Sequence, residues 1–330
     1  MVSVMKGLGS LIIVLLLSLG LQSAAGQGAR DRSPHSARLV SIGENIKLEV
    51  LDWGGKGPPI IFLSGLGDTA HAFDDFAPKF TGAHHVLGIT RRGFGASSHP
   101  VPMPDTYSAD RLGDDVLAVI AALKLDRPVL VGHSIAGEEL SSVASRHPEK
   151  IAGLVYLDAA YPYAFYDGKE GDLVLDTNDL RRSLEHGLNR PTISEYRAHL
   201  RTLMTHDLPQ LNRDAQIMLN RVEGQPDGPP RPPGAMQTGD AVLLGEQKYT
   251  SIHDVPMLAI FAQPHACQPY CDRADTKANE LWVSRQIEFV AAANPNARIV
   301  RLPYADHQVF ESNAADVERE MNSFMRNLPK

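Results

Sequence analysis

Cysteine is scarce in this chain: 330 residues hold two, Cys267 and Cys271. A metal centre needs more convergent ligands than their short loop offers, even with His265 beside them. Basic charge is scarce too. The formal net charge is −7 with no long block of one sign, so there is no field to draw nucleic acid. Past the N-terminal stretch, no run is long and apolar enough to cross a membrane. No repeat recurs at a solenoid period. What is present is a chain that is 43% hydrophobic, enough for one large core with an insertion.

The first residues read as a targeting segment. Lys6 supplies a positive start, residues 11–21 are apolar except for Ser18 and Gly20, and small residues follow from Ser23 to Gly26. This predicts a secretory signal peptide over 1–28, with a retained anchor as the alternative. The apolar run is short for a span of ~20 residues, which favours cleavage. The polar stretch 29–37 is expected to be a disordered linker. Such a protein is secreted or periplasmic and keeps no membrane span after cleavage. In that setting Cys267 and Cys271 are expected to pair, with two free thiols as the other reading.

Apolar and alternating runs predict strands near 38–42, 46–53, 59–64, 85–90, 128–133, 152–158, 255–262 and 297–302. The first two suit an antiparallel edge. The others alternate with helical patterns, as a mostly parallel sheet requires. Over 108–124, Leu112, Val116, Val119, Ile120 and Leu123 share one helical face behind a Ser108 cap. A last helix, with Asn313 as its cap, puts Val317, Met321, Phe324, Met325 and Leu328 on one face. Residues 160–250 break the alternation with polar, helix-like sequence and a Pro/Gly tract at 226–234.

Two segments carry chemistry. Residues 129–137 read Val-Leu-Val-Gly-His-Ser-Ile-Ala-Gly: an apolar strand, then Ser134, then a small-residue helix start. That is the shape of a nucleophile elbow, where a sharp turn lifts a serine hydroxyl above a sheet and leaves little room for neighbouring Cβ atoms. The plain alternative is a serine that caps a helix. Ala136 stands where the G-x-S-x-G pattern has its second glycine. Near the other end, the strand at 297–302 runs into a loop ending in His307. A serine nucleophile needs a base within hydrogen-bond reach, and the loops at one edge of a parallel sheet converge.

On these segments the chain resembles the α/β-hydrolase superfamily, in its single-domain esterase and lipase-like branch. Two others agree. Residues 59–67, Pro-Ile-Ile-Phe-Leu-Ser-Gly-Leu-Gly, look like the family's third strand and its loop, with Ser64-Gly65 where His-Gly is usual. Residues 86–97 end in Arg91-Arg92-Gly93-Phe94-Gly95-Ala96-Ser97, like the family's Arg-Gly-aromatic-Gly-x-Ser. The resemblance implies an eight-stranded, mostly parallel sheet flanked by helices. Its core is 38–159 and 251–330, and 160–250 is a lid inserted after the sixth strand. It also implies an oxyanion hole from the backbone N–H groups of Leu66 and Ile135, and chemistry without metal or organic cofactor. Aromatic residues at 161–166 are expected to line the cleft in part.

The acid partner of His307 is the open position. Relatives most often carry it just after the strand at 255–262, but Gln263-Pro264-His265-Ala266-Cys267 offers no carboxylate. Asp158, at the end of the preceding strand, is the favoured candidate, ahead of Asp272 and Asp275. Glu138 is an outsider, expected to brace its helix. The expected function is hydrolysis of small-molecule carboxylic esters through Ser134, His307 and Asp158. An amidase, lactonase or peptidase of the same fold is the alternative within hydrolases. A binding protein that keeps the fold without turnover is the alternative outside them. Dehalogenase and epoxide hydrolase relatives use a carboxylate where this chain has Ser134.

Overall fold

The computed structural model describes residues 35–188, 192–223, 236–269, 271–272 and 274–329. The signal segment, most of the expected linker and the tract at 226–234 lie outside the described residues. Eight strands form one sheet: β1 (Ser36–Gly43), β2 (Ile46–Gly54), β3 (Pro59–Leu63), β4 (His85–Ile89), β5 (Val129–His133), β6 (Gly153–Leu157), β7 (Met257–Ala262) and β8 (Arg298–Leu302). Their spatial order is β1-β2-β4-β3-β5-β6-β7-β8. The β1–β2 and β2–β4 pairs are antiparallel, and β4 through β8 are parallel.

The linker was expected to reach residue 37, but Ser36 and Ala37 already pair with Asp52 and Leu51. An edge strand needs a backbone partner on one side only, so polar side chains do not exclude it. β7 begins at Met257 and not at 255, because Pro256 has no N–H to give a ladder. Its carbonyl still accepts the Leu154 N–H at 2.9 Å.

Strands β3, β5, β6 and β7 are apolar but for the terminal His133 and are wholly buried, as a sheet covered on both faces requires. The period of two sends alternate side chains to opposite layers. Ile61, Leu63, Leu130, Leu154, Tyr156, Ala259 and Phe261 face one layer. It is built from α1 (Ala109–Leu123) and α2 (Gly137–Arg146) together with Val283, Ile287 and Val290 of a later helix. Ile60, Phe62, Val131, Val155, Leu157 and Ile260 face the other, against Phe73, Phe76, Phe80, Phe310, Met321 and Phe324. Ser108 caps α1 as expected, its Oγ accepting the Arg111 N–H at 3.4 Å.

Between β6 and β7 the chain forms α3 (Leu173–Leu188), α4 (Ile193–Thr202), α5 (Leu208–Val222) and α6 (Thr238–Leu243). After β7 come α7 (Ala274–Ala293), then α8 (Val309–Ser312) and α9 (Ala314–Arg326) beyond β8. The last helix is therefore split, with a separate turn before it. Asn313 stands at the α9 cap position but makes no side-chain cap bond. Its Oδ1 accepts the Ser312 hydroxyl instead, at 3.0 Å. No described helix is long and apolar enough to cross a membrane.

Candidate active site

The strand order reverses between the neighbours β3 and β5, and crevices in open parallel sheets form at such a point, outside the carboxyl ends of the strands. Ser134 stands at the end of β5 with φ +53°. A non-glycine residue there holds strain that surrounding packing must sustain. The packing is tight. A Cβ on Gly137 would lie 2.0 Å from the Ala159 carbonyl oxygen, and one on Gly132 would lie 2.7 Å from Leu140 Cδ1. Ala136 is accommodated, fully buried. The demand for glycine thus falls on 137, one residue later than the pattern places it.

Asp158 follows β6, also at positive φ (+46°), with its side chain fully buried. Its Oδ1 accepts the Tyr161 hydroxyl at 2.7 Å and the Ala262 N–H at 3.0 Å. Its Oδ2 lies 2.7 Å from His307 Nδ1. Burial pushes this carboxyl up, but hydrogen bonds from His265 and His307, with their charge, more than reverse that. The group stays well below the usual carboxylate range.

The His307 loop is held from several sides. The Tyr304 N–H donates to the Pro264 carbonyl at 2.6 Å, and Phe310 in α8 packs on Phe73 at 4.6 Å between ring centres. Buried His133, next to the serine, donates Nε2–H to the His307 carbonyl at 3.1 Å. That acceptor fixes its tautomer. Burial above all, with the charge of His307, lowers the His133 pKa to about 3, so the ring is neutral.

The other acid candidates stand elsewhere. Asp272 is exposed, 3.7 Å from Lys277 Nζ. Asp275 falls in the first turn of α7, and its side chain lies outside the described ones. Glu138 does not brace its helix: neither carboxyl oxygen has a hydrogen-bond partner among the described residues. Burial, with the charges of Glu246 and Glu139, pushes its carboxyl well above the usual range.

On the β3 side, no hydrogen bond to another described residue occupies the Leu66 N–H. The loop before it is fixed by buried Arg91, which donates to the Ser64 carbonyl at 2.9 Å and the Gly65 carbonyl at 3.3 Å. Arg91 Nε is paired in turn with Glu139 of α2. The elbow helix and the β3 loop are thus tied by one guanidinium. Arg91 drew attention in the sequence only through its motif; the role of Glu139 had no signal there. Leu66, Phe94, Tyr163 and Leu243 pack with buried Ile135 and Val242 into an apolar wall beside Ser134.

Of the aromatic run, Tyr163 packs against the cluster of Ile135, the residue after Ser134, and the Ser134 hydroxyl acts on its phenol. Tyr161 serves Asp158 and stacks on Trp282 at 5.8 Å, Phe165 packs on Tyr156, and the Tyr166 hydroxyl donates to Asp176. Cys267 and Cys271 are joined by a disulfide, which removes both sulfurs as ligands.

A sequence profile described as alpha/beta hydrolase fold matches residues 58–224. A fluoroacetate dehalogenase from a Burkholderia species is 32% identical over 133 residues, 39% of this chain and 43% of that protein. An sn-1-specific diacylglycerol lipase of Xenopus tropicalis is 30% identical over 134 residues, 40% of this chain and 39% of that protein. The chain thus spans less than half the length of these curated relatives. The crystal structure of a bromoperoxidase from Bacillus anthracis superposes with a TM-score of 0.55 at 18% identity, covering 88% of this chain and 100% of that one, a likeness of fold alone. With the profile spanning half of the chain and the sheet in this order, the chain belongs to the α/β-hydrolase-fold family.

Proposed function

We propose that this chain is a serine hydrolase that cleaves carboxylic esters through Ser134, His307 and Asp158. The observation that carries the reading is the 2.7 Å contact of Asp158 Oδ2 with His307 Nδ1, beside a serine held at φ +53°. Asp158 keeps the proton on Nδ1, so Nε2 presents a lone pair. His307 then takes the Ser134 proton as Oγ attacks the ester carbonyl. The N–H groups of Leu66 and Ile135 receive the oxyanion, the alcohol leaves with the proton from His307, and an acyl-enzyme remains. Water, activated by the same histidine, releases the acid. Among the described residues no hydrogen bond joins Ser134 Oγ to His307, and such bonds often tighten only when substrate binds.

The apolar wall of Leu66, Ile135, Tyr163, Val242 and Leu243 suits a small or medium acyl chain, and we read residues 160–250 as the lid that shapes it. A serine at the elbow favours ester chemistry over the dehalogenation named for one relative. An amidase, lactonase or peptidase would share every step as far as the acyl-enzyme. The test is a fluorophosphonate probe followed by a panel of esters of graded chain length, lactones and aminoacyl amides. One label per chain on Ser134, with turnover of the shorter esters, is expected; an unlabelled folded protein would leave only the binding-protein reading. We place the mature protein outside the cytoplasm, in keeping with its disulfide. N-terminal sequencing of protein from its native host should begin within a few residues of Gly26, and an intact Met1 on membrane-bound protein would mean an anchor.

A further inference from the structure

We propose that His265, braced on Glu280, is a positioning residue for this site: it grips the Asp158 oxygen that orients His307 and sets the pH range over which His307 can act as a base. The inference rests on the reading of His307 as that base. His265 stands three residues beyond β7. Its Nε2 lies 3.4 Å from Asp158 Oδ2, the oxygen that His307 Nδ1 meets at 2.7 Å. Its Nδ1 lies 3.3 Å from Glu280 Oε1, and its backbone N–H donates to that oxygen at 3.0 Å. The loop that carries it is laced to the His307 loop: the Ala266 N–H donates to the Ala305 carbonyl at 2.9 Å, and the Tyr304 N–H to the Pro264 carbonyl at 2.6 Å. Cys267, two residues on, is closed to Cys271.

This geometry places a ring between two carboxylates, each within reach of one nitrogen. Both nitrogens must carry protons to donate to both acids, so the ring is a cation. Burial opposes that charge, but the bonds to Asp158 and Glu280 and their charges overcome it and raise the His265 pKa to about 9. Asp158 then has three hydrogen-bond partners, Tyr161 and Ala262 on Oδ1 and His307 on Oδ2, with His265 Nε2 as an ion-pair partner 3.4 Å from Oδ2. Its negative field at His307 is partly cancelled by the second imidazolium. The sign of the effect follows: a positive charge beside Asp158 disfavours another on His307, so loss of the His265 charge favours one there. Asp158 and neutral His133 also face His307, as does Asp68 of the β3 loop, which itself faces Arg91 and Glu311. Asp158, Glu280 and, behind Asp158, the Tyr161 hydroxyl surround His265.

Two measurements on intact protein test this. The first is NMR titration of the histidine rings, with His265 assigned by its loss in His265→Gln. The His265 ring should titrate near pH 9, and titration at or below 6.5 overturns the proposal without any assay of turnover. The second is the pH profile of kcat/KM. In His265→Gln its acid limb should move up by roughly one pH unit. In His265→Arg, which restores a permanent cation, it should return toward the wild-type position. A merely structural role would lower the amplitude of both variants and leave the limb in place, and that result overturns the proposal. If His265→Gln does not fold, Glu280→Gln takes its place, and the ring that titrates near 9 should drop by about one unit or more. No drop overturns the bracing role. A protein that no fluorophosphonate labels would sink the hydrolase reading and leave the titration of His265 standing.

Discussion

Ser134→Ala should lose on the order of 10³-fold or more in kcat on any ester the wild type turns over, with no change in its unfolding midpoint. The two halves of this result have separate causes. Alanine keeps the Cβ, so the elbow stays at its strained dihedral and α2 keeps its contact with the Ala159 carbonyl. What goes is one half-buried hydroxyl. The remaining activity measures what the Leu66 and Ile135 N–H groups and the apolar wall do for water attack without a nucleophile. The variant should also fail to take up a fluorophosphonate. Activity above a tenth of wild type, in protein proved free of wild-type contamination, would remove Ser134 from the mechanism.

The residues that carry the fold were readable because each obeys a local rule. The inner strands are continuous apolar runs, and only a sheet buried on both faces accepts them. Ser134 directly follows such a strand, and His307 stands in the loop beyond the edge strand β8. The acid was harder for a geometrical reason. Asp158, Asp272 and Asp275 all follow an inner strand in the chain. Which one meets His307 depends on β6 lying between β5 and β7, a fact of sheet order that a linear pattern does not contain. His265 drew attention only as a neighbour of the cysteines, yet it occupies the stretch after β7 where a carboxylate was sought. A histidine there makes sense only once Asp158 is seen 3.4 Å away.

Some expectations failed where a side chain had two possible partners. Asn313 suited a cap by type, but the Ser312 hydroxyl claimed its oxygen. Glu138 suited a brace by position, but its carboxyl is buried away from any described donor, with Glu246 acting on it. The polar start of β1 looked like linker because composition records exposure and not backbone pairing. Arg91 shows the reverse. Its motif was visible, while its task, holding the Ser64 and Gly65 carbonyls so that the loop after β3 keeps its shape, appears only with that loop and α2 in place.

Asp158→Asn should lower kcat by about 10⁴-fold at neutral pH, the loss that follows when a triad carboxylate becomes an amide. The hydrogen bonds decide which way that amide must turn. Oδ1 accepts from the Ala262 N–H, a donor with no alternative role, at 3.0 Å. The asparagine oxygen therefore takes the Oδ1 place, and its NH₂ takes the Oδ2 place, facing His307 Nδ1 and displacing the His265 Nε2–H from its acceptor. Two donors cannot share a hydrogen bond, so Nδ1 must become the acceptor and the ring proton moves to Nε2. The nitrogen turned toward Ser134 is then a donor, and the base is lost with little change in shape. The charge is lost as well, so nothing stabilises the imidazolium that forms on attack. In the wild type Asp158 stays ionised throughout the working range, because its pKa is held below the usual carboxylate range, so the acid limb of the pH profile does not report its protonation. Asp272→Asn touches an exposed carboxylate near Lys277 and should change kcat by less than about threefold. Asp275→Asn, on α7, should do no more. Assayed side by side on one chromogenic ester, the three variants leave one outcome for each acid. If Asp272→Asn were crippled while Asp158→Asn remained active, the 2.7 Å contact between Asp158 and His307 would be structural and the acid would lie beyond β7.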